Sequence, residues 1–155
     1  MKKHDLPSML IYILSAELCG ALSALFSGGF SMAYKSPPLM PPAWVFPAVW
    51  VILYAVMGFS AYLVSRADKS EIIRKSALGI YWTQLAVNFS WSIFFFRFGA
   101  LWLSVGVILL LLALIIAMIK EFYRADRTAA LIDIPYLLWA IFASYLNIAA
   151  AVING

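Results

Sequence analysis

The sequence predicts an all-α membrane protein: a single domain, residues 1–155, built as a bundle of five transmembrane helices. Three observations lead there. The composition is 65% hydrophobic and 12% charged, whereas soluble domains are close to half apolar and about a quarter charged. Five apolar stretches each approach the ~20 residues that an α-helix needs to cross hydrocarbon. The basic residues crowd onto alternate connections between those stretches, as they do in membrane proteins. A water-soluble fold of this length exposes too much surface to hide so much apolar material. Lipid removes the problem by solvating the outer face.

The first span is read at 7–27. It follows the short tail Met1-Lys2-Lys3-His4-Asp5 and superficially fits a secretion signal. Its length and the apolar chain behind it point instead to a retained helix, closed by Gly28-Gly29. Pro37, Pro38, Pro41 and Pro42 make the next loop irregular, and Pro42 suits the first turn of a second span at 43–65. Segment 66–71 is polar and turn-like. The third span is read at 76–96, and Arg97 and Gly99 part it from the fourth at 100–119. A polar connection at 120–128 leads to the fifth, at 131–153.

Charge then orients the bundle. Lys2, Lys3, Arg66, Lys69, Arg74, Lys75, Lys120, Arg124 and Arg127 fall on one side of a five-pass arrangement; Lys35 and Arg97 fall on the other. Cytoplasmic loops carry the excess of lysine and arginine. The N-terminus is therefore expected in the cytoplasm and the C-terminus outside, in a bacterial inner membrane. Dropping one span would scramble the split. The net charge of +4 is not gathered into a basic patch among polar loops, so nucleic acid is not an expected partner.

In lipid, small and polar residues mark the protein-facing side of a helix. Gln84, Asn88 and Trp91 share one face of the third span, and Tyr136, Trp139, Ala143 and Asn147 one face of the fifth. In the second, Pro47, Trp50, Tyr54 and Gly58 form a stripe. Together these faces would line a pocket with indoles, phenols and amides. The competing reading is an interfacial belt, where tryptophan and tyrosine gather because they are amphipathic. It suits Trp44 and Trp102, which stand near span ends. Asn88 and Asn147 equally suit interhelical hydrogen bonds. Glu17, an ionisable group inside the first span, is either a proton or ion site or a carboxyl bonded within the bundle. The four-residue repeat Ala16, Gly20, Ala24, Gly28 allows close helix approach, within the chain or between two copies; Gly79 and Thr83 offer a weaker equivalent.

Much chemistry is excluded. His4 is the sole histidine and Cys19 the sole cysteine, so no internal disulfide, no His/Cys metal cluster and no Ser-His-Asp constellation can be built. No phosphate-cradling GxxxxGK[ST] occurs. No axial ligand for haem is persuasively placed. No cofactor is required, and a bound tetrapyrrole would be metal-free, held by flat aromatic contact.

The stretch PPAWVFPAVW at 41–50, continuing through Leu53-Tyr54 and Met57-Gly58, resembles the translocator protein family, also called tryptophan-rich sensory proteins or peripheral-type benzodiazepine receptors. QLAVNFSW at 84–91, followed by Phe94-Phe95, is similar to that family's third-helix signature. PYLLWAIFA at 135–143, ending at Leu146-Asn147, is similar to its fifth. The resemblance implies a five-helix bundle, usually a homodimer, with a pocket opening toward the loop between the first two helices. It implies binding of protoporphyrin IX, as ligand or substrate, and of benzodiazepine-type apolar molecules. The ligand-binding residues expected are Tyr34, Pro42, Trp44, Phe46, Trp50, Tyr54, Asn88, Trp91, Trp102, Tyr136, Trp139, Ala143 and Leu146. Trp50 and Trp139 are the candidates for oxidative chemistry. Ala33-Tyr34 stands where the family usually has Trp-Tyr. The end of the fifth helix lacks the tyrosine and arginine of the family's cholesterol-recognition segment, so sterol is not expected there. Three functions stay open: a receptor or sensor, a light- and oxygen-dependent porphyrin-degrading enzyme, and a small transporter.

Overall fold

The computed structural model describes residues 5–29 and 34–155; Lys2, Lys3, His4 and Ala33 of the sequence reading lie outside them. Five long helices and one short one are joined without strands among the described residues. They are α1 (Leu6–Ser27), α2 (Val45–Arg66), α3 (Glu71–Ser92), α4 (Leu101–Ala125), α5 (Arg127–Ile132) and α6 (Ile134–Asn154). A π-helical turn, Ile93–Arg97, prolongs α3. Four of the long helices are both long and apolar enough to cross a membrane: α1, α2, α4 and the α5–α6 run. The third has the length, but carries Glu71, Arg74 and Lys75 in its first two turns.

Local chemistry sets the boundaries. Pro7 opens α1, where a missing N–H costs nothing. Gly28 closes it in the left-handed conformation at φ 75°, its N–H and that of Gly29 returning to Leu25 and Ala24 carbonyls. Ser70 caps α3, its Oγ accepting from the Ile73 amide at 3.4 Å, so the helix starts five residues before the predicted span. Asp126 caps α5 in the same way, accepting from the Ala129 amide at 2.9 Å. The predicted connection 120–128 is mostly helix. Apolarity ends near Ile119, but helical hydrogen bonding continues to Ala125 because Lys120, Glu121 and Arg124 are good helix formers.

The helices pack as α1 on α2, α3 on α4 and α4 on α6, with α5 bracing α2 and α4. The small-residue repeat of α1 serves packing within the chain. Ala16 is fully buried, and a methyl group on Gly20 would strike the Tyr54 ring. The reciprocal gap is on α2, where a methyl on Gly58 would come within 2.5 Å of the Ile13 Cα. Gly79 and Thr83, by contrast, face outward, and nothing lies near Gly79. α2 and α6 meet only sparsely. An apolar groove of about 430 Å³, lined by Val49, Ile52, Leu53, Leu138, Trp139 and Phe142, runs between them.

The two charge groups sit at opposite ends. Asp5 pairs with Arg66 at 2.6 Å at one end. At the other, Arg97 Nη1 donates to the Phe26 carbonyl at 2.9 Å and Lys35 contacts Asn154.

Candidate functional site

The polar faces read from the sequence meet inside the bundle and bond to one another. Asn88 Nδ2 donates to Tyr136 OH at 3.0 Å, and Tyr136 OH donates to Gln84 Oε1 at 2.7 Å. Tyr54 OH approaches Asn88 Oδ1 at 3.5 Å. One turn further, Trp91 Nε1 donates to Asn147 Oδ1 at 2.8 Å, while Asn147 Nδ2 reaches Ser104 Oγ at 2.9 Å and the Leu101 carbonyl at 3.3 Å. The result is a polar ladder along the bundle axis, drawn from α2, α3, α4 and α6. Buried amides and phenols of this kind are costly without partners, and here they hold four helices in register.

Aromatic rings surround the upper rungs. Trp50 lies 5.5 Å from Tyr54 and 6.3 Å from both Trp91 and Tyr136, centroid to centroid. Trp91 stacks on Phe95 at 5.6 Å, and Phe46 meets the edge of Trp139 at 6.0 Å. The described part of the loop before α2, residues 34–44, covers this cluster. Tyr34 reaches Phe95 at 6.0 Å. The Lys35 backbone pairs twice with the Asn154 side chain, at 2.9 Å in each direction, and Tyr145 OH donates to the Pro38 carbonyl at 3.2 Å. The loop is thus latched to α6, at Tyr145 and at Asn154 in the last turn.

The rings fill most of the expected pocket. Small cavities remain among the described residues. One of about 10 Å³ lies among Met40, Phe46, Trp91, Phe95, Ala143 and Leu146. One of about 20 Å³ touches Gly20, Trp50, Tyr54, Asn88 and Trp91. A cleft of about 110 Å³ lies between α1 and α2 beside Glu17, Pro47, Trp50 and Tyr54. Drug-sized ligands occupy roughly 300–1,000 Å³, so the interior must widen to admit one. Two buried donors in this region have no partner among the described residues: Tyr34 OH and Trp139 Nε1. Burial pushes the Tyr34 phenol well above its ordinary range, so it stays a neutral donor.

Of the predicted ligand residues, Phe46, Trp50, Tyr54, Asn88, Trp91, Tyr136, Ala143 and Leu146 are buried together, with Tyr34 and Trp139 half-buried at the margin. Trp44 and Trp102 are not in the cluster. They are 71% and 59% exposed, and Pro42 is exposed as well. Trp102 is displaced by periodicity: the buried face of α4 runs Leu101, Ser104, Ile108, Leu111, Ile115, and Trp102 lies off it. Both exposed indoles stand at the lid end, which fits the belt reading.

Sequence reasoning passed over a second polar group. Asp133, fully buried, accepts from Ser60 Oγ at 2.7 Å through one oxygen; its other oxygen and Tyr81 OH have no partner among the described residues. Its position three residues before Tyr136, on the same helical face, was the available signal. A serine cluster was also missed: Ser92 Oγ bonds both Ser23 Oγ and, at 2.8 Å, Ser27 Oγ, tying α1 to α3. No group of three or more His, Cys, Asp or Glu side chains placed to hold a metal occurs among the described residues.

An all-helical bundle of apolar spans, with an aromatic interior under a proline-rich loop, defines a class of small membrane proteins. The profile of the TspO/MBR family matches residues 11–153, and the chain belongs to that family. It is 32% identical over 138 residues to protein CrtK of Rhodobacter capsulatus, covering 88% of this chain and 86% of that one. It is 33% identical to the tryptophan-rich sensory protein of Cereibacter sphaeroides over 74% of this chain and 70% of that one. The translocator protein of Bos taurus is 28% identical over 88% and 83%.

Proposed function

We propose that the chain is a membrane receptor for a flat, apolar tetrapyrrole such as protoporphyrin IX, or a benzodiazepine-type molecule, bound among the aromatic rings beneath the α1–α2 loop. The observation that carries this reading is the pair of buried, unpartnered donors, Tyr34 OH and Trp139 Nε1, beside a cluster of indole and phenyl rings. Such donors gain most from a ligand acceptor, because nothing among the described residues competes for them. The ring faces supply the apolar contact. In this reading all five long helices cross the bilayer. α3, with 22 residues, is about 33 Å long, and its amides point inward rather than into lipid. The basic end faces the cytoplasm, in a bacterial inner membrane, and the loop latched to α6 is the outer lid. Trp44 and Trp102 then anchor the outer interface.

The test is a titration of purified, lipid-embedded protein with protoporphyrin IX, read by tryptophan fluorescence. Saturable quenching is expected, with affinity weakened about tenfold or more when Tyr34→Phe and Trp139→Phe are combined, at about 1 kcal/mol per lost hydrogen bond. Quenching that never saturates, or that ignores both substitutions, would reject the site.

A second reading has its own support. Trp50 lies within 6.3 Å of three other oxidisable rings, Tyr54, Trp91 and Tyr136. That contiguity suits passage of an electron from indole to an excited macrocycle, and so light- and oxygen-dependent breakdown of the ligand. Illumination in air should bleach bound protoporphyrin, and a Trp50→Phe, Trp139→Phe double substitution should slow it. Equal bleaching rates would remove the indoles from the chemistry.

A further inference from the structure

A much larger cavity lies away from the aromatic interior. It is an open groove of about 750 Å³ at the basic end of the bundle, between α3 and α4. Ile80 and Ala117 line it on the side next to α3, Ile119 and Tyr123 on the other side of α4, and its rim carries Lys120, Glu121 and Arg124. The small side chain of Ala117 leaves the space. The rim charges are not evenly committed. Glu121 is held by Arg124 at 2.9 Å through one oxygen and is approached by Ser76 Oγ at 3.5 Å through the other. Lys120 has no ion pair among the described residues and is exposed. Arg127 adds a third cation beside the rim, 5.5 Å above the Tyr123 ring.

The vertical order of these groups matters. From Ala117 to Arg124 a helix rises about 10 Å. Over that distance the wall changes from aliphatic to cationic, as a phospholipid changes from acyl chain to phosphate. Basic pockets between transmembrane helices on the cytoplasmic side suit acidic headgroups. Among the described residues the rim sets Lys120 and Arg124, with Arg127 beside them, against the carboxylate of Glu121, a positive balance that favours an acidic headgroup over a zwitterionic one. A symmetric self-contact centred on the groove would bring its cations against their own copies.

We propose that this groove holds one acidic phospholipid, its acyl chain on Ile80 and Ala117 and its phosphate on Lys120 and Arg124. The site is separate from the aromatic cluster and does not depend on the ligand proposed for it.

The full chain, purified with a mixture of phosphatidylglycerol and phosphatidylcholine, is examined by native mass spectrometry for retained lipid. One phosphatidylglycerol should be retained in preference to phosphatidylcholine. Lys120→Gln with Arg124→Gln should weaken retention about 30-fold, since each basic residue near the surface contributes about fivefold. Ala117→Trp should displace the lipid while leaving both cations in place. Glu121→Gln should act oppositely and strengthen retention several-fold, because it releases Arg124. Should the double variant fail to fold, Lys120→Gln alone decides, its side chain being exposed. Equal retention of the two lipids, phosphatidylglycerol held undiminished by the Lys120 and Arg124 variants, or an Ala117→Cys variant that cross-links two chains in place of a retained lipid would each overturn the proposal.

Discussion

Replacing Asn147 with leucine removes the one side chain that joins α3, α4 and α6 at the level of Trp91. The residue is fully buried. Its Oδ1 takes the Trp91 indole N–H at 2.8 Å, and its amide nitrogen gives bonds to Ser104 Oγ and the Leu101 carbonyl. Leucine is similar in size, so packing changes little. Ser104 Oγ keeps its bond to the Leu101 carbonyl at 2.7 Å. The loss is therefore concentrated on one orphaned donor, Trp91 Nε1. Leaving a buried donor unmade costs about 1–3 kcal/mol, and side-chain bonds between membrane helices measure about 0.6–2 kcal/mol. We expect Asn147→Leu to destabilise the bundle by about 2 kcal/mol. Trp91→Phe removes the same bond from the other side and also weakens the contacts with Trp50 and Phe95. In the double variant no donor is orphaned, so the combined loss should fall short of the sum by about 1–2 kcal/mol. The assay is reversible unfolding of the reconstituted protein for all four members of the cycle. Additivity within ~0.5 kcal/mol would refute the claim that Asn147 and Trp91 act as a pair.

Three further outcomes are expected. Gly58→Ala puts a methyl group 2.5 Å from the Ile13 Cα and 2.7 Å from the Tyr12 carbonyl; backbone cannot swing aside as a side chain can, so α1 must shift, at about 1–3 kcal/mol, read as a lowered melting temperature. Asn154→Ala removes both bonds to the Lys35 backbone, and the Lys35 amide should exchange with deuterium about fivefold faster or more, at about 1 kcal/mol for the latch; unchanged exchange would mean the lid is held elsewhere. The Asp5 carboxyl sits below the ordinary range because it accepts from Ser8 Oγ at 2.6 Å and faces Arg66. Its folded-state value is the lower one, so its contribution is present above the unfolded value near 4 and fades as pH falls through the folded one. Melting curves between pH 6 and pH 3 should therefore lose less stability in Asp5→Asn than in the native chain.

The interior was readable because membrane helices invert the usual signal. In an apolar segment a Gln, Asn or Tyr is costly toward lipid, so Gln84, Asn88, Tyr136 and Asn147 announced the inward face by their spacing. The same rule marks Asp133, which was passed over beside a predicted span boundary. Indoles carry a weaker signal because they suit both an interior and an interface. Trp50 and Trp91 went inside; Trp44 and Trp102 stayed out.

Composition, helix-length apolar runs and the spacing of polar side chains determine, from the sequence alone, an all-helical bundle and the faces that meet within it. These follow from local energetics: one backbone geometry and the cost of wetting or greasing each side chain. Whether the rings leave a pocket or fill it was decided only by the tertiary structure. So were the use of Gly20 and Gly58 to seat α1 on α2, the latch of Lys35 on Asn154, and the joining of Ile80 to Lys120 across a groove. Each depends on which residues distant in the chain become neighbours, and that is settled by how whole helices dock, not by any segment's own preference.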